Sequence, residues 1–344
     1  MNILVIRKSS LGDVVMTTPV LEFLKKTIPE CKITYLVDSN YAPLLKGHEY
    51  IDNLIEIKWS KYEKKPIKLF GEIIKTIKKI RKQKFSLAFD FQGLFRSALF
   101  LYSCKSQKKY ARGKWMFMTG TKPHKKKLAK HNVEQNYEIT ALAGLNKTQN
   151  HSQNIDNAVE AVDLSRISDT HIQSFDKIVL INPFTRWQTK NIPLKTLSEA
   201  ANIIGSKIRC HFVVLGSKNE FTHARQVYEN ITRGKTLLCG KLNLNQLAGI
   251  IKQGELLITG DSGPMHMASA LNTPLVAVFG PTHPVRTGPY EGIYEIIQSE
   301  ENCSPCFSRN CKHAFVKCMA NVKAEEIADR AIELLATQKP VYIG

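Results

Sequence analysis

Short apolar strands alternate with amphipathic helices along this chain, and the series runs twice. That alternation constrains the fold more than any other feature. Parallel strands need a crossover between them, and the crossover helices cover both faces of the sheet. The first series reads as strands at ILVIR, ITYLV and SLAFDF. Helices read at VVMTTPVLEFLKKT, IKLFGEIIKTIKKIRK, FRSALFLYS and NVEQNYEITALAG. In the longest of these, Ile67, Phe70, Ile73, Ile74, Ile77 and Ile80 recur at helical spacing. Residues 145–176 turn polar, rich in Asn, Ser, Asp and Gln, and read as a linker or surface crossing. The second series runs through KIVLINP, HFVVLGS, TLLCG, ELLITGDSG and PLVAVFG, with helices between. A last helix near AEEIADRAIELLA could pack on either half. The expected fold class is α/β, with Rossmann-like domains over 1–160 and 177–344 and a linker over 161–176. A length of 344 residues also exceeds what one core usually serves.

The chain carries a formal net charge of +19. Much of this is a solvated lysine surface, but its distribution is uneven. Residues 91–133 contain no Asp or Glu, and 58–84 is almost as basic. Both runs lie in the first half. A nucleic acid, an anionic membrane surface or a phosphorylated substrate could each answer such charge. No apolar run approaches the roughly 20 residues that cross a bilayer. The N-terminal MNILVIRKSS reads as a buried strand rather than a signal peptide, so a cytoplasmic protein is expected.

Ligands of parallel α/β sheets bind at the carboxyl ends of strands, so the loops there carry the candidate site. The first strand runs into RKSSLGDVVMTTP. Ser9, Ser10 and Gly12 suit a tight turn, and Asp13 stands where a helix begins. Asp13 can cap that helix, or it can take a proton from a substrate hydroxyl. The loop matches neither the dinucleotide fingerprint nor the P-loop. In the second half, INPFTRWQTKNIP offers Thr185, Arg186, Trp187, Thr189 and Lys190, suited to a phosphate and a ring. Glu220 in LGSKNEFTHA can cap a helix or accept from ribose hydroxyls. In TGDSGPMHMASAL, Asp261 and Ser262 follow a strand, Gly263 lets backbone approach a ligand, and Pro264 suits a first helical turn. Such a turn binds anions, and His266 in it can donate to a phosphate or sit in the core.

These residues resemble glycosyltransferase family 9, the bacterial heptosyltransferases of the lipopolysaccharide inner core. The resemblance covers nearly the whole chain. It rests on SSLGDVVMTTPVL, FDFQGLFRSAL, HNVEQNYEI, TRWQTKNIP, GDSGPMHMASAL, VAVFGPTHPVRTGPY and CSPCFSRNCKHAFVKCM. It implies a GT-B fold, two Rossmann-like domains facing a central cleft, with acceptor bound by the first and ADP-heptose by the second. It also implies inverting, metal-independent transfer with no cofactor. Asp13 falls on the catalytic base. Thr185, Lys190, Glu220, Asp261, Ser262, Gly263 and His266 fall on the donor site.

The acceptor implied is a phosphorylated glycolipid, met at the cytoplasmic face of an anionic inner membrane, with no nucleic acid. Ser10, Lys61, Lys64 and Arg112 are the expected acceptor contacts, and Lys105 and Lys109 belong to the same basic half. A family 9 enzyme with another nucleotide sugar is the nearest alternative. A basic nucleic-acid-binding protein is the alternative from another class, but no recognised motif supports it. Cys303, Cys306, Cys311 and Cys318 could in principle hold zinc, with His313 among them. Their C-x2-C-x4-C-x6-C spacing is not that of a standard zinc ribbon, and reduced packing cysteines are expected instead.

Overall fold

A computed structural model describes residues 1–113, 118–122, 130–164, 177–313 and 315–337. Contacts divide the chain into Met1–Ala158 and Val159–Gly344. Each unit is built around a six-stranded, all-parallel sheet. These are the two Rossmann-like halves of the GT-B class.

In the first unit the strands are β1 (Asn2–Ile6), β2 (Lys32–Asp38), β3 (Asn53–Ile57), β4 (Lys84–Asp90), β5 (Lys105–Arg112) and β6 (Gly120–Lys122). Their order is β3-β2-β1-β4-β5-β6. The chain winds outward from β1 to β3, then crosses back to β4. The order therefore reverses between β1 and β4, and the loops leaving those two strands lie where ligands of such sheets bind. The second unit repeats the plan with β7 (Lys177–Asn182), β8 (Cys210–Val214), β9 (Lys235–Leu237), β10 (Leu256–Gly260), β11 (Leu275–Phe279) and β12 (Tyr294–Gln298). Its order is β12-β11-β10-β7-β8-β9, so the reversal falls between β7 and β10. Strands such as β10 and β11 are buried at every residue. That is why their sequences are mainly apolar rather than alternating.

Several elements depart from the sequence expectation. VVMTTPVLEFLKKT is not one helix: α1 (Leu11–Val15) stops and α2 (Thr18–Thr27) restarts. Pro19, in the first turn of α2, cannot donate the bond that would continue α1. After α3 (Trp59–Tyr62), α4 (Pro66–Arg81) forms over the expected span. Only part of its apolar set turns inward: Ile80 is fully buried, while Ile67 is 88% exposed and Phe70 66%. The helices α5 (Phe95–Ser103) and α6 (Asn132–Ala141) follow.

The polar stretch after α6 is not a free linker up to 158. Ile155 and Ala158 are fully buried, the Asn154 N–H donates to Thr18, and Asn157 donates to the Leu44 and Lys46 carbonyls. The linker expected over 161–176 lies, from 165 onward, outside the described residues. So do parts of the acid-free run, at 114–117 and 123–129. In the second unit the helices are α7 (Leu194–Lys207), α8 (Phe221–Asn230), α9 (Leu244–Gln253), α10 (Gly263–Ala270), α11 (Pro284–Thr287), α12 (Lys317–Ala320) and α13 (Ala324–Thr337). The last helix packs on the second unit, against α7, β10, β11 and β12.

Candidate active site

In the first unit the loops at the reversal follow β1 and β4. Asp13 is the third residue of α1, not its cap, and its carboxylate reaches back over the turn. Its Oδ2 accepts from the Ser10 N–H at 3.0 Å and the Ser10 hydroxyl at 2.8 Å. Its Oδ1 is paired with Arg7, whose guanidinium also donates to the Phe91 carbonyl at the end of β4. Burial alone would raise the Asp13 pKa. The Arg7 charge and the Ser10 bonds override burial and hold it at about 2. The side chain keeps 25% of its surface exposed, so a substrate can reach it.

Around this pair the loops are tied by polar bonds. The Lys8 N–H donates to Gln92 at 3.0 Å, and Gln92 donates to the Ser9 hydroxyl at 3.2 Å. Asp90, fully buried, accepts from the Gln92 and Gly93 N–H groups and from Ser97. Burial lifts its pKa to about 6 against those bonds. The buried Lys8 ammonium sits 3.4 Å from the Trp59 ring centroid, and Arg96 lies 5.7 Å from the same ring. Burial, then repulsion from Arg96, brings the Lys8 pKa down to about 7, against the pull of Asp38, Asp90 and Glu63. The Trp59 indole N–H is buried with no partner among the described residues. Arg7, Lys8, Trp59 and Gln92 were not singled out from the sequence.

Lys61 is exposed on α3, and Lys64 is exposed just beyond it. Arg112 is not with them. It is 5% exposed, and its guanidinium donates to Asn136 on α6. Asn136 in turn donates to the Met16 carbonyl. The bond to α6 therefore turns Arg112 inward rather than onto the exposed basic face. Lys105 is exposed, and Lys109 donates to the Tyr102 carbonyl.

In the second unit the loops after β7 and β10 meet at the reversal point. Lys190 Nζ lies 3.2 Å from Asp261 Oδ2, with side chains only 12% and 8% exposed. Thr287 donates to the same oxygen at 3.1 Å. The two loops come this close because residue 260 is glycine. A Cβ there would stand 2.6 Å from the Lys190 carbonyl oxygen and 3.2 Å from Thr185. Thr185 closes its own loop, donating to the Trp187 carbonyl at 2.7 Å, while its N–H donates to Asn191. The Trp187 ring is flanked by Lys190 at 5.1 Å and Arg309 at 5.2 Å.

Ser262 caps α10: its hydroxyl accepts the Met265 N–H at 3.2 Å and joins Thr259 and Asn182 beneath the turn. Pro264 has no N–H to offer. Among the described residues this leaves the Gly263 N–H as the first-turn donor that an anion can use, with the positive end of α10 behind it. His266 is buried in the same turn. Glu220 closes its own turn, its Oε2 accepting from the Ser217 N–H and hydroxyl.

Asn182, Thr282 and Thr287 were not picked out individually from the sequence. Thr282 lies past the end of β11, and its buried hydroxyl has no partner among the described residues. Cys303, Cys306 and Cys311 sit in a loop that wraps these strand ends, and Cys318 follows on α12. Ser304 donates to the Gly280 carbonyl, the Phe307 N–H to Pro281, and Thr189 to the Ser308 carbonyl. Cys318 packs on Gly280, and burial raises its pKa to about 11. Among the described residues no three His, Cys, Asp or Glu side chains are grouped to hold a metal ion. No described helix is long and apolar enough to cross a membrane.

Two doubly wound halves, each with charged side chains gathered at its topological reversal, give the GT-B architecture. The chain belongs to glycosyltransferase family 9 (heptosyltransferase), whose model matches residues 73–317. It is 25% identical to lipopolysaccharide heptosyltransferase 1 of Campylobacter coli, over 98% of this chain and 100% of that one. Its fold is similar to that of a family 9 glycosyl transferase from Veillonella parvula, with a TM-score of 0.81 and 22% identity. That match covers 98% of this chain and 97% of the other. The E. coli heptosyltransferase WaaC, solved with ADP, matches with a TM-score of 0.74 and 18% identity, covering 97% and 100% of the two chains.

Proposed function

We propose that this protein transfers heptose from ADP-heptose to a phosphorylated glycolipid of the lipopolysaccharide inner core, inverting the anomeric centre without a metal. The reaction takes place at the cytoplasmic face of the inner membrane. The observation that carries this reading is the buried Lys190–Asp261 pair beside the start of α10. Asp261 and Thr287 hold the ammonium in place, and the helix start adds partial positive charge. A leaving diphosphate gains charge as its bond to the sugar breaks, and fixed cationic groups stabilise that charge best when they need no rearrangement. Thr185, Ser262 and Glu220 shape the turns around this point, and Gly263 and His266 donate to the diphosphate. The relatives' activity and the ADP bound in WaaC support the choice of donor.

Asp13 takes the proton from the acceptor hydroxyl as that oxygen attacks the anomeric carbon. With a pKa near 2 it is ionised throughout the working range, but it is a weak base while Arg7 holds it. Proton transfer therefore requires the Arg7 contact to loosen, or Arg7 to share its charge with an anionic acceptor. Ser10, Lys61 and Lys64 receive that acceptor. The test is incubation with ADP-heptose and with UDP- and GDP-sugars, each with a lipid A core acceptor bearing Kdo, following nucleotide release and product mass. Transfer from ADP-heptose alone is expected. Transfer from another nucleotide sugar with none from ADP-heptose would replace the donor, and no transfer at all with folded protein would remove the reading.

A further inference from the structure

Six of the twelve large apolar side chains exposed among the described residues fall within 67–102, five on two neighbouring helices of the first unit and Leu94 just before the second. On α4 the buried stripe is Ile73, Thr76, Ile77 and Ile80. Ile67, Phe70 and Ile74 form a second stripe, about a quarter-turn round the helix at roughly 100° per residue. Nothing among the described residues covers it: their exposures are 88%, 66% and 39%. On α5, Phe95 (76% exposed) and Tyr102 (60%) lie on one outward face, and Leu94 beside Phe95 is 42% exposed.

The two helices belong together at their N-terminal ends. Glu63, just before α4, pairs with Arg96 in the first turn of α5 at 3.1 Å. Both helices leave the carboxyl ends of their strands, the sheet edge on which Asp13 stands. The next arc of α4 beyond the apolar stripe is basic: Lys68, Lys75 and Lys78 are all exposed, and so is Lys64 just before the helix. The two acids of this segment are engaged, Glu63 by Arg96 and Glu72 by the Lys58 N–H.

We infer that this face, with Ile67, Phe70, Ile74 and Phe95 at its centre and lysines along its border, docks the protein onto an anionic lipid bilayer. An apolar stripe bordered by lysines places its hydrocarbon into the acyl boundary and its ammonium groups among the phosphates. A protein partner would have to match the same uninterrupted positive border, whereas an anionic leaflet supplies the complementary charge everywhere. Choosing a bilayer deepens the transferase reading, in which the acceptor is a glycolipid. Docking by this face presents the Asp13 edge of the sheet toward the acceptor's own leaflet.

The test measures sedimentation of the full chain with vesicles of phosphatidylethanolamine and phosphatidylglycerol, and with neutral phosphatidylcholine vesicles. The wild type binds the anionic vesicles and barely binds the neutral ones. The Ile67→Ser/Phe70→Ser/Phe95→Ser variant, whose side chains support no core, keeps its melting temperature and loses about tenfold or more in vesicle affinity. Lys68→Glu/Lys75→Glu loses a similar factor, and that loss shrinks as salt rises. Turnover with a water-soluble acceptor, measured on the serine variant, reads the transferase reading separately and stays at the wild-type level. Vesicle binding that survives the serine substitutions would overturn the inference, as would wild-type protein that fails to bind anionic vesicles. So would a concentration-dependent dimer that the serine substitutions dissolve, because the face would then belong to a second copy.

Discussion

Each unit holds a cation–carboxylate pair at its reversal point, and the two pairs are built for different work. In the first unit Arg7 and two Ser10 bonds act on Asp13, which keeps a quarter of its surface exposed. In the second unit Thr287 and Lys190 share one oxygen of Asp261, and both partners of the pair are nearly buried. A carboxylate that substrate can touch fits a group that exchanges a proton. A carboxylate sealed behind a lysine fits a group that positions the lysine. On the proposed reading the same ion-pair chemistry serves acid–base work in one half and charge placement in the other, and exposure separates the two.

The sharpest way to break this comparison is to neutralise the exposed carboxylate. Asp13→Asn is expected to lower kcat by roughly 100-fold or more, since it removes the group proposed to take the acceptor proton. Near-wild-type turnover would reduce Asp13 to the capping role its Ser10 bonds already perform. On the other side, Lys190→Ala is expected to cut kcat/KM for the donor by roughly 10- to 100-fold, read from initial rates at varied donor. A loss confined to acceptor KM would place the lysine on the wrong substrate.

A subtler change sharpens the account of Arg7. Arg7→Met removes the charge that does most to lower the Asp13 pKa, and with burial then opposed only by the Ser10 bonds that pKa rises from about 2. Activity requires the ionised form, so the acid limb of kcat/KM moves up in pH. The variant therefore loses activity at a higher pH than the wild type as acid is added, read from the acid limb of kcat/KM. Linkage gives a matching stability effect. The depressed pKa of Asp13 contributes stability above the unfolded value near 4, and that stability is lost as pH falls toward 2. Acid unfolding of Asp13→Asn should therefore be less steep across that window. The smallest effect is expected from Lys61→Glu with Lys64→Glu. Acceptor KM rises several-fold at low salt and converges on wild type as salt rises, because exposed charges are screened beyond roughly 8 Å at physiological ionic strength. An unchanged acceptor KM at low salt would take both lysines out of the acceptor site.

The parts of this molecule legible in its sequence were those whose environment is uniform. Strands β1, β2, β4, β7, β8, β10 and β11 are buried along most of their length, so apolar residues dominate their sequences. β5 escaped, because KSQKKYAR buries only its last three residues and is held to β4 by backbone bonds that any side chain permits. The short β6, and β3 and β12 with their partly exposed residues, escaped for related reasons. The loops after β1, β7 and β10 were legible as sites because glycines, hydroxyls and charges cluster there. Their internal pairing was not. Arg7 reads as the last residue of a strand, and only the turn through Ser10 brings Asp13 back to it. Ser262 reads as a ligand contact, and the fold spends its hydroxyl on the cap of α10. Arg112 reads as part of a basic surface, and Asn136 draws it inside.

The central claim is a division of labour, with proton transfer in the first unit and donor binding in the second. Calorimetric titration of ADP into the Asp13→Asn and Lys190→Ala variants tests it most directly. ADP should bind Asp13→Asn as it binds the wild type, and should bind Lys190→Ala about tenfold or more weakly. Loss of ADP affinity in Asp13→Asn, or unchanged affinity in Lys190→Ala, would contradict that division.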